Sequence, residues 1–220
     1  MRTLFPAALA ILLLCNSFSP KTPAGEKQYV LVQWVNDLAG DFSFKEKWDY
    51  PEGVYRNEYG QLSCDGFCPE ESYRMKDSTG KIFNDSLKAF YKIVDTTHQF
   101  HTLECEAWCY EWAGTDLVSV HQLKKGKVEA ITDCNAATHC SLHLAFSGDT
   151  CTPVIMLNSI VPGGDATYRI TGGSIKIDKQ LWKKGIMKAE FSFDFYNPEP
   201  SDQKMFWKGK VWSPIIPSRK

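Results

Sequence analysis

The sequence predicts a mainly β domain (α+β by content), an antiparallel β-sandwich or open barrel with about two short helices near residues 69–95. Three observations predict it. Short apolar runs are separated throughout by Gly, Pro and Asn turn residues. Over residues 187–195, Met187, Ala189, Phe191, Phe193 and Phe195 alternate with Lys188, Glu190, Ser192 and Asp194, the pattern of a half-buried antiparallel strand. Apolar spacing of three and four residues is confined to the interval before Thr97.

The elements follow in order. Residues 29–35, Tyr-Val-Leu-Val-Gln-Trp-Val, read as a first strand rich in β-branched and aromatic side chains. Pro69 opens a helix with Glu70 and Glu71 beside its N-terminal dipole, and that helix ends before Gly80. Asn84 caps a second helix whose apolar face is Leu87, Phe90, Tyr91 and Val94. Then the period becomes two. Leu103, Cys105, Ala107 and Cys109 share one face. Residues 117–123 and 128–132 form a hairpin around Lys125-Gly126, and Cys140, Leu142, Leu144 and Phe146 share a face opposite His139 and His143. Strands at 154–160, 168–170, 174–178, 187–195 and 205–212 complete the domain.

The first 24 residues read as a secretory signal segment. Met1 and Arg2 precede an apolar run of eleven residues, 4–14, broken only by Pro6. That is a signal length, well short of the roughly 20 needed to cross a bilayer. Cleavage falls at Cys15-Asn16-Ser17 or Thr22-Pro23-Ala24. Alternatively Leu-Leu-Leu-Cys15 is a bacterial lipobox, Cys15 is lipidated, and the polar residues up to 28 are a tether. Residues 29–220 are then a single domain that meets the membrane through the lipid anchor alone. The net charge of −1 carries no nucleic-acid footprint. At 43% hydrophobic and 13% aromatic, the chain buries a core of ordinary size.

Cysteine is the most informative residue type. Of eight, seven remain once Cys15 is removed or lipidated, and export makes disulfides the expectation. Cys105 and Cys109, four residues apart on an extended strand, are separated by about 13 Å and do not pair with each other. Two rungs from Cys64 and Cys68 to Cys105 and Cys109 are geometrically reasonable. Cys134 and Cys140 close a short connection, and Cys151 is left as the odd thiol or pairs with Cys140. The alternative is metal. Cys64, Cys68, Cys105 and Cys109 have spacing tolerable for a four-thiolate zinc site, and His98 and His101 with Cys105 and Cys109 offer a mixed set.

Catalytic motifs are absent: there is no Gly-x-Ser-x-Gly, no His-Glu-x-x-His and no phosphate-cradling glycine loop. Seven tryptophans point instead to recognition. Trp108, Tyr110 and Trp112 alternate away from the Leu103–Cys109 face; they form a second buried face or, if exposed, a surface for a glycan or protein partner at the cell surface. No cofactor is implied. The expected function is an exported, non-enzymatic binding domain; the alternatives are a Cys/His metal-binding protein or a hydrolase with no nameable site.

The C-terminal segment carries a resemblance. Gly173-Ser-Ile-Lys-Ile-Asp178, Gly185-Ile-Met-Lys-Ala-Glu-Phe-Ser-Phe193 and Trp207-Lys-Gly-Lys210 resemble the closing strands of uncharacterised exported bacterial lipoproteins with a β-sandwich domain. The resemblance covers about 40 residues, and it implies an envelope address and no activity.

Overall fold

The computed structural model describes residues 28–109, 113–133, 138–160, 162–198 and 203–217. The leader, Cys15, Tyr110, Trp112 and Cys134 lie outside the described residues. The strands are β1 (Val30–Val35), β2 (Trp48–Asp49), β3 (Val54–Arg56), β4 (Leu62–Cys64), β5 (Gln99–Phe100), β6 (Leu103–Trp108) and β7 (Val118–Gln122). They continue with β8 (Val128–Thr132), β9 (Cys140–Ser147), β10 (Thr150–Leu157), β11 (Ala166–Asp178), β12 (Ile186–Phe195) and β13 (Met205–Ile216). Three short α-helices are present among the described residues: α1 (Glu70–Tyr73), α2 (Leu87–Ile93) and α3 (Lys179–Lys183).

Eight strands close a barrel in the order β12-β11-β1-β10-β9-β8-β7-β13 and back to β12. The fold is therefore β-rich as expected, but it is a closed mixed barrel rather than an antiparallel sandwich or open barrel. Two parallel pairings make it mixed: β1 beside β11, and β7 beside β13. The physical cause of closure is that two long strands, each paired with β12 along one edge, serve two further partners along the other. The first part of β11 pairs with β10 and the later part with β1. The first part of β13 pairs with β6 and its end with β7. Strand β6 thus lies against the barrel without joining the ring.

Glycine makes both bends. The register of β11 against β12 shifts between Ile170 and Gly172. At Gly173 (φ +138°) a Cβ would sit 2.2 Å from the Ser192 carbonyl oxygen. Gly209 lets β6 approach β13, since a Cβ there would lie 2.3 Å from the Glu104 carbonyl oxygen.

The alternation of β12 is realised in full. Met187, Ala189, Phe191, Phe193 and Phe195 are all buried, and they meet Ile170, Ile175, Ile177 and Trp207 from the neighbouring strands. Side chains fill the barrel, as is usual at eight strands. Smaller clusters lie outside it. Leu38, Phe42 and Phe44 cover one side with Trp212, and Cys64, Ile82, Phe90 and Val94 form the core of the segment between β1 and β6.

That segment departs from expectation in its helices. α1 is one turn, because Asp77 Oδ1 accepts from the Thr79 and Lys81 amides and bends the chain into a hairpin that ends at Gly80. α2 starts after Ser86, not Asn84. Its face is Phe90 with Leu87 and Val94, while Tyr91 stays exposed.

Candidate functional site

Side chains fill the barrel interior, and a surface concavity of about 580 Å³ lies beside the β2–β5 ribbon, between β6 and the loop that leads into β7. The ribbon pairs Trp48 with Phe100 and Asp49 with Gln99, and the His101 amide continues it by donating to the Lys47 carbonyl at 3.0 Å. In an antiparallel pair, alternate residues share a face. Asp49, Gln99 and His101 therefore turn toward the cleft. Trp48, His98 and Phe100 turn the other way.

His101 Nε2 lies 2.7 Å from Asp49 Oδ2, a diagonal neighbour across the ribbon. Asp116 completes the group: one donor atom from each of Asp49, His101 and Asp116 lies within 4.8 Å of the others. The backbone fixes this arrangement. The Asp116 carbonyl accepts from the Thr102 and Leu103 amides, each at 3.0 Å. Thr102 Oγ1 donates to the Val118 carbonyl and accepts from the Val118 amide. The Trp212 amide donates to the Thr102 carbonyl at 2.9 Å. Residues 101–103 are thus the joint at which the ribbon, β6, β7 and β13 meet. The His101 side chain is 13% exposed and that of Asp49 72%, so the imidazole is held and the carboxylate faces solvent.

The cleft is acidic. Asp49, Glu52, Asp116 and Asp133 line it, with no Lys or Arg among its lining residues. Burial pushes the Asp133 carboxyl above the usual carboxylate range. Cys105 also lines the cleft, and its thiol points to the Thr115 carbonyl at 3.5 Å. Burial raises its pKa, and Asp116 raises it further, so Cys105 is a protonated thiol at neutral pH and a poor nucleophile.

The other side of the ribbon is aromatic. Trp48 stacks on His98 with centroids 3.5 Å apart, and Tyr50 meets both rings edge-on at 5.2 and 5.4 Å. Trp48 and Phe100 remain 39% and 55% exposed, and Tyr50 reaches the cleft lining.

The expectation of disulfides holds for Cys64 and Cys68, but with a different pairing. Cys64 bonds to Cys68 itself, with Cα atoms 5.9 Å apart, so the rungs to Cys105 and Cys109 are not formed. The same bond consumes the two thiolates that a four-cysteine zinc site with Cys105 and Cys109 requires. The reason is local: Gly66 (φ +80°) reverses the chain between Cys64 and Cys68, whereas Cys105 lies on extended β6 and Cys109 just beyond its end. Cys140 and Cys151 are not bonded to each other, because the β9–β10 register sets Cys140 against Leu157 and Cys151 against Phe146, about 20 Å apart along the sheet. Cys151 is a buried thiol whose pKa is pushed far up by burial.

Trp108 is half-buried against the main core and does not stand as an open face. Of the histidines, His101 enters the cleft without Cys109, and His98 is taken by its stack. On the outside of β9, His143 Nε2 lies 3.1 Å from Ser141 Oγ, near Glu129. Ser141 is 3% exposed, and with His143, Asp133 and Asn158 it lines a second, shallower concavity of about 350 Å³.

No family model, no curated protein and no solved structure matches this chain.

Proposed function

We propose that the chain is an exported, non-enzymatic binding domain, tethered through Cys15 or released, whose ligand is an oligosaccharide held at the cleft beside the β2–β5 ribbon. One observation carries the reading. A single two-stranded ribbon turns hydrogen-bonding side chains (Asp49, Gln99, His101) into a cleft and leaves aromatic rings (Trp48, Phe100) exposed on its other face, with Tyr50 reaching between them. Sugars present hydroxyls that donate to carboxylates and apolar C–H faces that pack on rings. Cys105, the thiol that lines this cleft, is held protonated by burial and is a poor nucleophile.

The test is an oligosaccharide array probed with the purified chain, with Asp116→Asn and Trp48→Ala beside it. Retention of one oligosaccharide class, weakened at least about tenfold in both variants, supports the reading. No retention, or retention unchanged in both variants, overturns it. The tether is tested separately by labelling with a radioactive fatty acid. Equal labelling of the wild type and Cys15→Ala would remove the lipid anchor.

A further inference from the structure

We infer that Asp49, His101 and Asp116 form a binding site for one divalent first-row transition ion, of which Zn²⁺ is the representative. Three observations carry this, none of which depends on what else the cleft binds.

The first is convergence. Donors bound tetrahedrally to one zinc ion at about 2.0–2.2 Å lie about 3.3–3.6 Å apart. The three donor atoms here already lie within 4.8 Å of one another, and Asp49 and His101 are at 2.7 Å. Small rotations of the two exposed carboxylates close the set around an ion; no backbone shift is required.

The second is preorganisation. The three residues come from separate stretches of chain, yet their backbones are tied together by the Lys47–His101 ladder bond and by the two amides on the Asp116 carbonyl. The imidazole is the least mobile member, since its side chain is mostly buried. To take an ion at Nε2, the ring carries its single proton on Nδ1, and the Nε2 lone pair replaces the hydrogen bond to Asp49.

The third is charge. Four carboxylates and no Lys or Arg line the cleft, so it concentrates cations. One imidazole nitrogen with two carboxylate oxygens favours zinc or manganese over calcium and magnesium, which take all-oxygen sets. Three protein donors leave a coordination position open to the cleft, as in sites where the ion meets a further ligand and unlike closed structural sites.

The experiment is calorimetric titration of the chelator-stripped, purified chain with ZnCl₂, and with MnCl₂ and CaCl₂ in parallel. The expected result is one Zn²⁺ per chain, with Ca²⁺ bound at least about a hundredfold more weakly. Asp116→Asn and His101→Gln each weaken Zn²⁺ binding by about tenfold or more. His143→Ala leaves it unchanged. Asp116→Asn keeps the backbone carbonyl that receives Thr102 and Leu103, so it decides the matter even if the His101 variant fails to fold. Absence of stoichiometric Zn²⁺ binding, binding that survives both ligand variants, or binding abolished by His143→Ala overturns the site. Metal alone is the probe here, so failure leaves the oligosaccharide reading intact, and a blank oligosaccharide array leaves the ion site intact.

Discussion

The barrel and the segment between β1 and β6 solve the same problem by different physics. The barrel buries a continuous apolar core drawn from strands up to 13 residues long. The inserted segment has strands of two or three residues and a core of four buried residues. It makes up the deficit with specific ties. Cys64 and Cys68 are bonded. Gln61 exchanges two hydrogen bonds with the backbone of Ile82. Lys76 joins the Cys64 carbonyl to Asp65, which also accepts from Tyr55 at 2.6 Å. Small cores need such staples. The difference also bears on the cleft: Asp49 and His101 come from the inserted segment, and the barrel edge holds them in place through Thr102.

The sharpest way to break the comparison is to empty each core in turn. Phe193 is fully buried in the barrel between Phe191 and Phe195. Phe193→Ala is expected to cost about 3–5 kcal/mol of global stability, read as a drop in the guanidinium midpoint. Loss of the Cys64–Cys68 bond is expected to cost less, about 2 kcal/mol, because it closes a short loop. That cost should be local. In Cys64→Ser/Cys68→Ser, amide exchange rises over residues 54–94 while the amides of β9 to β13 stay protected. Equal loss of protection in both regions would show that segment and barrel unfold as one unit.

The two regions were also unequally legible in sequence. Strand β12 was plain, because from Met187 to Phe195 each inward residue is apolar and each outward one polar or charged. Closure was not, since Val32 pairs in parallel with Ile175, far along the chain, and no local periodicity encodes such a contact. The x3 cysteine pairs show how local context decides: the same spacing bonds across the Gly66 turn and cannot bond along β6. The cleft was half visible. His101 stood out by its spacing to Cys105, but its true partners are Asp49 and Asp116, brought in by a ribbon too short to show a period and by a loop. The exposed rings of the ribbon, Trp48 and Phe100, were not legible either, because strands of two residues show no alternation.

The smallest expected effect, and the finest test of the comparison, is acid sensitivity. The Lys76 ammonium, with help from the Tyr55 hydroxyl, holds the Asp65 carboxyl below its ordinary value. A carboxyl depressed in the folded state stabilises that state fully above its unfolded pKa, near 4, and the contribution is lost as pH falls through the depressed folded value. Asp65 is largely exposed, so the effect is modest. It is nevertheless confined to the stapled segment. Lowering the pH from about 5 to 2 should therefore raise exchange over residues 54–94 before it touches β9 to β13. Lys76→Met removes the main cause of the depression, so the Asp65 carboxyl, followed by carbon NMR, should titrate closer to its ordinary value, and the acid dependence of the segment should shrink. Cys64→Ser/Cys68→Ser should leave the Asp65 titration in place, since the bond acts on the chain and not on the charge. If Lys76→Met left the titration of Asp65 unmoved, the ion pair would not be one of the staples, and the segment would depend on its disulfide and the Gln61–Ile82 exchange alone.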